Sequence, residues 1–207
     1  MTSTTAGTCS APPGTEAPVA DRLLLVRSAA TAATRRAAFA CDEPLDAGGK
    51  RAARGLAAAL RHAGIAFSGP ELSSMQTARA AGLEAVADPD LGDLGAGAWT
   101  GLDLEEVGAR DPARLRAWLQ DPDAAPPDGE SRTELHARVA RFLKRANAER
   151  GGVVAVTHAS VVRAAVVLAL DAPPQAFWRI DVAPASVTEL RRRDTGWLLA
   201  RANWTPP

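Results

Sequence analysis

The sequence predicts an α/β layered fold with a largely parallel central sheet. Two short, continuously apolar runs, RLLLV (Arg22 to Val26) and GVVAVT (Gly152 to Thr157), have the composition of strands covered on both faces. The segments between them carry helix start and stop signals. Strands that alternate with helices build parallel sheets, because a parallel pair needs a long crossover connection.

Taken in order, the first twenty residues, MTSTTAGTCSAPPGTEAPVA, are rich in Ser, Thr, Ala, Gly and Pro and show no periodicity. They read as a disordered tail, unable to bury enough apolar surface to offset the entropy of ordering. Residues 21–207 then read as one domain. After the first strand, Asp46 can cap a helix running to about His62, with Gly64 as its stop. Asp111 followed by Pro112 opens another, since proline suits the first helical position. Ser131 and Glu134 in SRTE form a capping box for a helix that Gly151 closes. Ala159 to Leu170 reads as a buried helix behind the second strand. SVTELRRR and WLLARANW flank Asp194-Thr195-Gly196, a hairpin signal.

Composition bounds the function. The chain has 207 residues, 46% of them apolar, enough for one substantial core. Its 24 basic and 24 acidic residues balance. That balance argues against a nucleic-acid or anionic-membrane partner, both of which need cationic charge gathered on one face. No apolar run is long enough to span a bilayer. The N-terminus lacks the basic and apolar regions of a signal peptide, so the sequence is read as cytoplasmic. Cys9 and Cys41 stand outside any metal-ligand or redox spacing and read as free thiols. Neither clustered ligands nor a GxxxxGK loop occurs, so no metal or organic cofactor is implied. The composition is compatible with a homodimer and does not identify an interface.

In open α/β sheets ligands bind beyond the carboxyl ends of the strands, where helix N-termini offer unpaired N–H groups. Arg27 and Ser28 follow the first strand and His158 follows the second. If those strands are neighbours, the three side chains converge on one anion-sized pocket.

The order of VRSAAT, SSMQTA (Ser73 to Ala78), LGDLGAGAWTG (Leu91 to Gly101), DGES (Asp128 to Ser131) and VTHASVVRA (Val156 to Ala164) resembles the histidine phosphatase superfamily, which includes the phosphoglycerate mutases and alpha-ribazole phosphatases. The resemblance runs from about Asp21 to Trp204. It implies a phosphoglycerate mutase-like three-layer sandwich with a phosphate pocket above the sheet. It also implies roles. Arg27 and His158 match phosphate-binding positions, and Asp93 matches the acidic proton donor, shortened by one methylene. Ser28 stands at the position of the nucleophilic histidine. Ser73 stands where the family carries an arginine clamp, and Thr34, followed by Arg35 and Arg36, where an asparagine often lines the pocket.

These departures bear on chemistry. An imidazole with a pKa near 6.5 is largely a free nucleophile at neutral pH, whereas a serine hydroxyl needs an adjacent base. Serine at position 73 lacks the planar fork that grips phosphate bidentately. Losing one positioned charge of this kind costs on the order of a hundredfold in rate. Loss of nucleophile and clamp together should abolish phosphohistidine chemistry.

Other residues have plainer readings. His62 and His136 fall in polar stretches of helices and read as solvent-side. Trp99 and Trp118 read as core anchors, Arg191 to Arg193 as a solvated strand end, and Leu102 to Pro127 as a generic insertion over the pocket. Asp93 sits in a Gly-rich loop where Asp is also a common turn former. Three functions compete: a catalytically reduced relative that binds a phosphate ester or other anion, a phosphomonoester phosphatase rearranged around His158, and a hydrolase built from Ser28, His158 and Asp93.

Overall fold

The computed structural model describes residues 22–61, 64–149, 151–194 and 196–206. The expectations for the N-terminal tail, Cys9 and His62 fall outside the described residues. Strand β1 (Arg22–Arg27) divides its side chains by parity: Leu23 and Leu25 enter one apolar cluster, Leu24 and Val26 the other. Strand β4 (Val153–Thr157) does the same, with Val153 and Ala155 on one face and Val154 and Val156 on the other. Both runs are therefore strands buried on both sides, and the period-two alternation sorts them into two cores.

The remaining strands are β2 (Ile65–Ser68), β3 (Val86–Ala87), β5 (Val187–Arg193) and β6 (Gly196–Trp204). Together they form a six-stranded sheet of order β3-β2-β4-β1-β5-β6. Pairing is parallel from β3 through β1 and antiparallel at β5 and β6. The hairpin joining β5 and β6 matches the sequence signal at its turn.

Eight α-helices are described: α1 (Ala32–Arg36), α2 (Ala47–Gly55), α3 (Ala57–Leu60), α4 (Leu72–Ala80), α5 (Leu104–Arg110), α6 (Pro112–Gln120), α7 (Arg132–Ala148) and α8 (Ala159–Ala169). Residues of α2, α3 and α4 pack on one face of the sheet, and those of α7 and α8 on the other, giving three layers. Among the described residues, no helix is long and apolar enough to cross a membrane.

Local chemistry sets the helix starts. The Asp46 side chain accepts from the Gly49 amide, Asp111 from the Arg114 amide, and Ser131 forms the full capping box with Glu134. The ends differ from expectation. The helix begun at Asp46 breaks after Gly55, where glycine weakens helical structure, and a short second segment ends at Leu60. Helix α7 stops at Ala148, ahead of Gly151, where Arg192 donates to the carbonyls of Ala146 (3.1 Å) and Glu149 (2.8 Å). Cationic groups suit orphan C-terminal carbonyls. The expected solvated run at Arg191 to Arg193 is thus corrected: Arg191 and Arg192 are half-buried and only Arg193 is exposed. Arg191 also pairs with Glu189 at 2.7 Å.

The expected insertion is built rather than generic. Trp99, Val107 and Trp118 form a third apolar cluster, joined by Phe39, Leu115 and Trp178. His136 is also corrected. It is half-buried with its ring 6.0 Å from that of Phe177, and burial, with Arg132 nearby, lowers its pKa.

One face of α7 fixes the loop that leads to Asp93. Arg138, Arg141 and Arg145 lie at helical spacing on a common side. Arg141 and Arg145 pair with Asp90, and Arg145 also with Asp88. Arg138 donates to both Glu130 oxygens and to the carbonyls of Asp90, Gly92 and Asp93, at 2.6–2.9 Å. Its donor capacity is fully used. Replacing Arg138 with Ala should destabilise the fold by about 2–4 kcal/mol in urea denaturation, because three loop carbonyls and a carboxylate lose their partner. Arg138→Lys should recover only part of this, since an ammonium cannot reproduce the fork.

Candidate functional site

Adjacent parallel strands bring the expected residues together. Arg27 is paired in register with Thr157, and the Ser28 amide donates to the Thr157 carbonyl at 2.6 Å. The chain then leaves both strands at their carboxyl ends, and His158 becomes the N-cap of α8. Arg27, Ser28, Thr34, Ser73, Asp93 and His158 all line one pocket of about 570 Å³. The six site residues read from the sequence therefore converge.

His158 is almost fully buried, at 6% exposure. Its Nε2 lies 2.8 Å from Glu71 Oε2 and 3.0 Å from Ser74 Oγ. Its Nδ1 lies 3.5 Å from Asp93 Oδ2. Burial opposes charge on the ring, but the attraction of Asp93 and the hydrogen bond and charge of Glu71 outweigh burial and the repulsion of Arg27. The imidazole pKa is therefore raised, and both ring nitrogens face carboxylates. For Glu71, burial pushes the pKa up, and the hydrogen bond to His158 leads the interactions that bring it down overall.

Asp93 is anchored on its other oxygen. Oδ1 accepts from Ser160 Oγ at 2.6 Å and from the Leu94 amide at 2.8 Å. Ser28 and Ser73 are both buried, at 8% and 7% exposure. Ser73 gives its carbonyl to Thr77 Oγ1 at 2.7 Å, and Thr77 Oγ1 accepts from the Ala29 amide at 3.0 Å. Thr34 lines the pocket while its hydroxyl closes the capping box with Thr31. Arg35, beside it, is tied to Asp46. The Nε2 that a Ser28 triad would direct at its serine is occupied by Glu71 and Ser74.

Two cations approach the pocket. Arg27 donates to the Val182 carbonyl, and Arg163 of α8 donates to the Ile180 carbonyl at 2.9 Å while stacking over Phe177 and Trp178. Burial, then mutual repulsion in the case of Arg27, lowers their pKa values, though guanidinium stays charged. Sequence reasoning missed Glu71, Ser74, Ser160 and Arg163. Arg163 had a signal, a lone charge inside the apolar helix VVRAAVV. Much of the remaining lining is apolar and includes Phe39, Leu104, Trp118, Leu119 and Trp178.

The three-layer α/β domain thus gathers an imidazole and two guanidinium groups around one pocket at its strand tips. The chain belongs to the histidine phosphatase superfamily (branch 1), whose pattern matches residues 23–205. Bifunctional protein Rv2228c of Mycobacterium tuberculosis is 37% identical over 121 residues, 56% of this chain, and the match spans 33% of that relative's length. Phosphoserine phosphatase 1 of Hydrogenobacter thermophilus is 27% identical over 173 residues, 79% of this chain and 82% of that protein. Among solved structures, mycobacterial glucosyl-3-phosphoglycerate phosphatase Rv2419c, complexed with VO3, is similar at a TM-score of 0.79 and 25% identity, covering 91% of this chain and 100% of that one. The alpha-ribazole phosphatase from Shigella flexneri shares the fold at a TM-score of 0.78 and 22% identity, covering 88% of this chain and 96% of that one.

The His158 cluster should leave a signature in stability. A raised imidazole pKa contributes stability that is complete below the ordinary value of 6.5 and is lost as pH rises through the folded value. A lowered Glu71 pKa contributes above the ordinary 4.5 and is lost as pH falls. Melting temperature against pH should therefore decline on the alkaline side of 6.5, and His158→Gln should flatten that decline. Parallel slopes in the two proteins would show that His158 does not carry it.

Proposed function

We propose that this protein binds a phosphate ester or a similar organic anion in the pocket above β1 and β4 without transferring phosphate. The observation that carries the reading is the state of the imidazole. Its two nitrogens face Glu71 and Asp93 at 2.8 and 3.5 Å, so each is engaged by a carboxylate rather than turned free toward a phosphorus atom. Ser28, at the family's nucleophile position, has no base directed at it, because Nε2 is engaged elsewhere. Ser73 supplies no charge to a clamp.

Ligand capture has more support than turnover. Arg27, Arg163 and the imidazolium are cationic groups on one pocket, and a structural relative is known with VO3 bound. The aromatic and aliphatic lining of the same pocket suits the carbon skeleton of an ester, so affinity would combine charge with apolar burial. Its volume of about 570 Å³ is in the range of small-molecule sites. Cytoplasmic residence is part of the same proposal and rests on the sequence alone.

Orthovanadate or phosphate should raise the melting temperature, as a ligand bound only by the folded state must. At about ten times its Kd, an anion adds about 1.4 kcal/mol and shifts Tm by about 3–6 °C. Arg27→Ala should abolish the shift. The parent should not hydrolyse generic phosphomonoesters, and the double substitution Ser28→His with Ser73→Arg should give weak activity. Turnover by the parent that disappears in His158→Gln would overturn the proposal in favour of a phosphatase rearranged around His158.

A further inference from the structure

The Glu71 carboxylate sits in a fitted recess. Its Oε1 accepts from the Asp93 amide at 2.9 Å, and Oε2 meets His158 Nε2 at 2.8 Å. Two glycines make the room. A Cβ on Gly69 would stand 2.7 Å from Oε2, and one on Gly92 would stand 3.0 Å from Oε1. The side chain is 27% exposed on the pocket side and projects from the residue that precedes α4. It is a carboxylate placed where an anion would meet the imidazolium, built into the chain.

We propose that Glu71 is an internal counter-anion that occupies the Nε2 donor of His158, so that an external oxyanion binds through His158 only by displacing it. The inference rests on the anion-pocket reading above and adds the element that sets its selectivity. The charged groups facing the imidazole are Glu71 beside α4, Asp93 in the loop held by α7, and Arg27 at the end of β1. A dianion entering the pocket meets Arg27 and Arg163 favourably and the carboxylates of Asp42, Glu71 and Asp93 unfavourably. Coulomb energy between unit charges a few ångströms apart at a protein surface corresponds to a change in affinity of about tenfold to a thousandfold. Glu71 therefore disfavours dianionic phosphate more than singly charged anions, whose repulsion is half as large.

Glu71→Gln keeps the shape and the acceptor and removes the charge. In equilibrium binding at pH 6.0, below the ordinary imidazole value, this variant should hold the dianion sulfate at least about tenfold more tightly than the parent, with a smaller gain for the monoanion formate. In the same variant the His158 imidazole pKa, tracked by NMR titration, should fall. Glu71→Ala, which empties the recess, should behave in the same direction. Sulfate binding that is unchanged in Glu71→Gln, but still lost in Arg27→Ala, would overturn the role of Glu71 and leave the anion pocket standing. An unmoved His158 pKa would overturn the pairing itself. If neither parent nor variant binds sulfate at millimolar concentration, both this inference and the anion-pocket reading fall.

Discussion

The structure around the site depends on one buried imidazole, His158, and the two carboxylates that face it. Removing a cation from water costs several kcal/mol unless opposite charge and hydrogen bonds replace the solvent. Here Glu71 and Asp93 do so from two sides, and each must be held in place to be effective. Glu71 is held by the Asp93 amide and by its position at the start of α4. Asp93 is held by Ser160 and by a loop whose carbonyls are gripped by Arg138. A single side chain thus couples β4, α4, α7 and α8, and its ionisation links the site to the stability of the loops around it.

Several hydrogen bonds that hold the pocket loops run through motif side chains other than those of Ser28 and Ser73. The motif residues that remain have backbone duties. Gln76 accepts from the Leu45 amide at 3.0 Å, Thr77 ties Ala29 to Ser73, and Ser131 starts α7. Positions 28 and 73 are occupied by serines, whose hydroxyls make few demands on the surroundings. Changing them alters charge in the pocket while the loops keep their hydrogen bonds. A fold of this kind fixes where side chains converge, and the identity of a few of them decides which chemistry is available there.

Much of this was legible in the sequence, for identifiable reasons. β1 and β4 announce themselves because strands buried on both faces must be apolar throughout. The starts at Asp46, Asp111 and Ser131 are legible because capping is a local interaction between residues three apart. Glu71 was not legible. In SGPEL it looks like an ordinary residue ahead of a helix, and its partner lies 87 residues away. Arg138 likewise passes for a solvent-side arginine, since the carbonyls it binds belong to a loop 45 to 48 residues earlier. His136 misled because its helix is polar on average, whereas the ring turns toward Phe177. Interactions between distant segments are what periodicity and capping rules do not encode.

The charge balance of the pocket constrains the proposed ligand further. Arg27, Arg163 and His158 stand against the three carboxylates of Asp42, Glu71 and Asp93. Such a pocket exerts little net pull on an approaching dianion, and long-range steering contributes little to its association rate. Selectivity must then come from contact. Arg163 lies between the two halves of the site, its guanidinium over the rings of Phe177 and Trp178 and its charge near Asp93. A ligand with one anionic group and an apolar body can satisfy the cations and cover the aromatic wall at once. Inorganic phosphate can do only the first, which favours organic anions over the free ion.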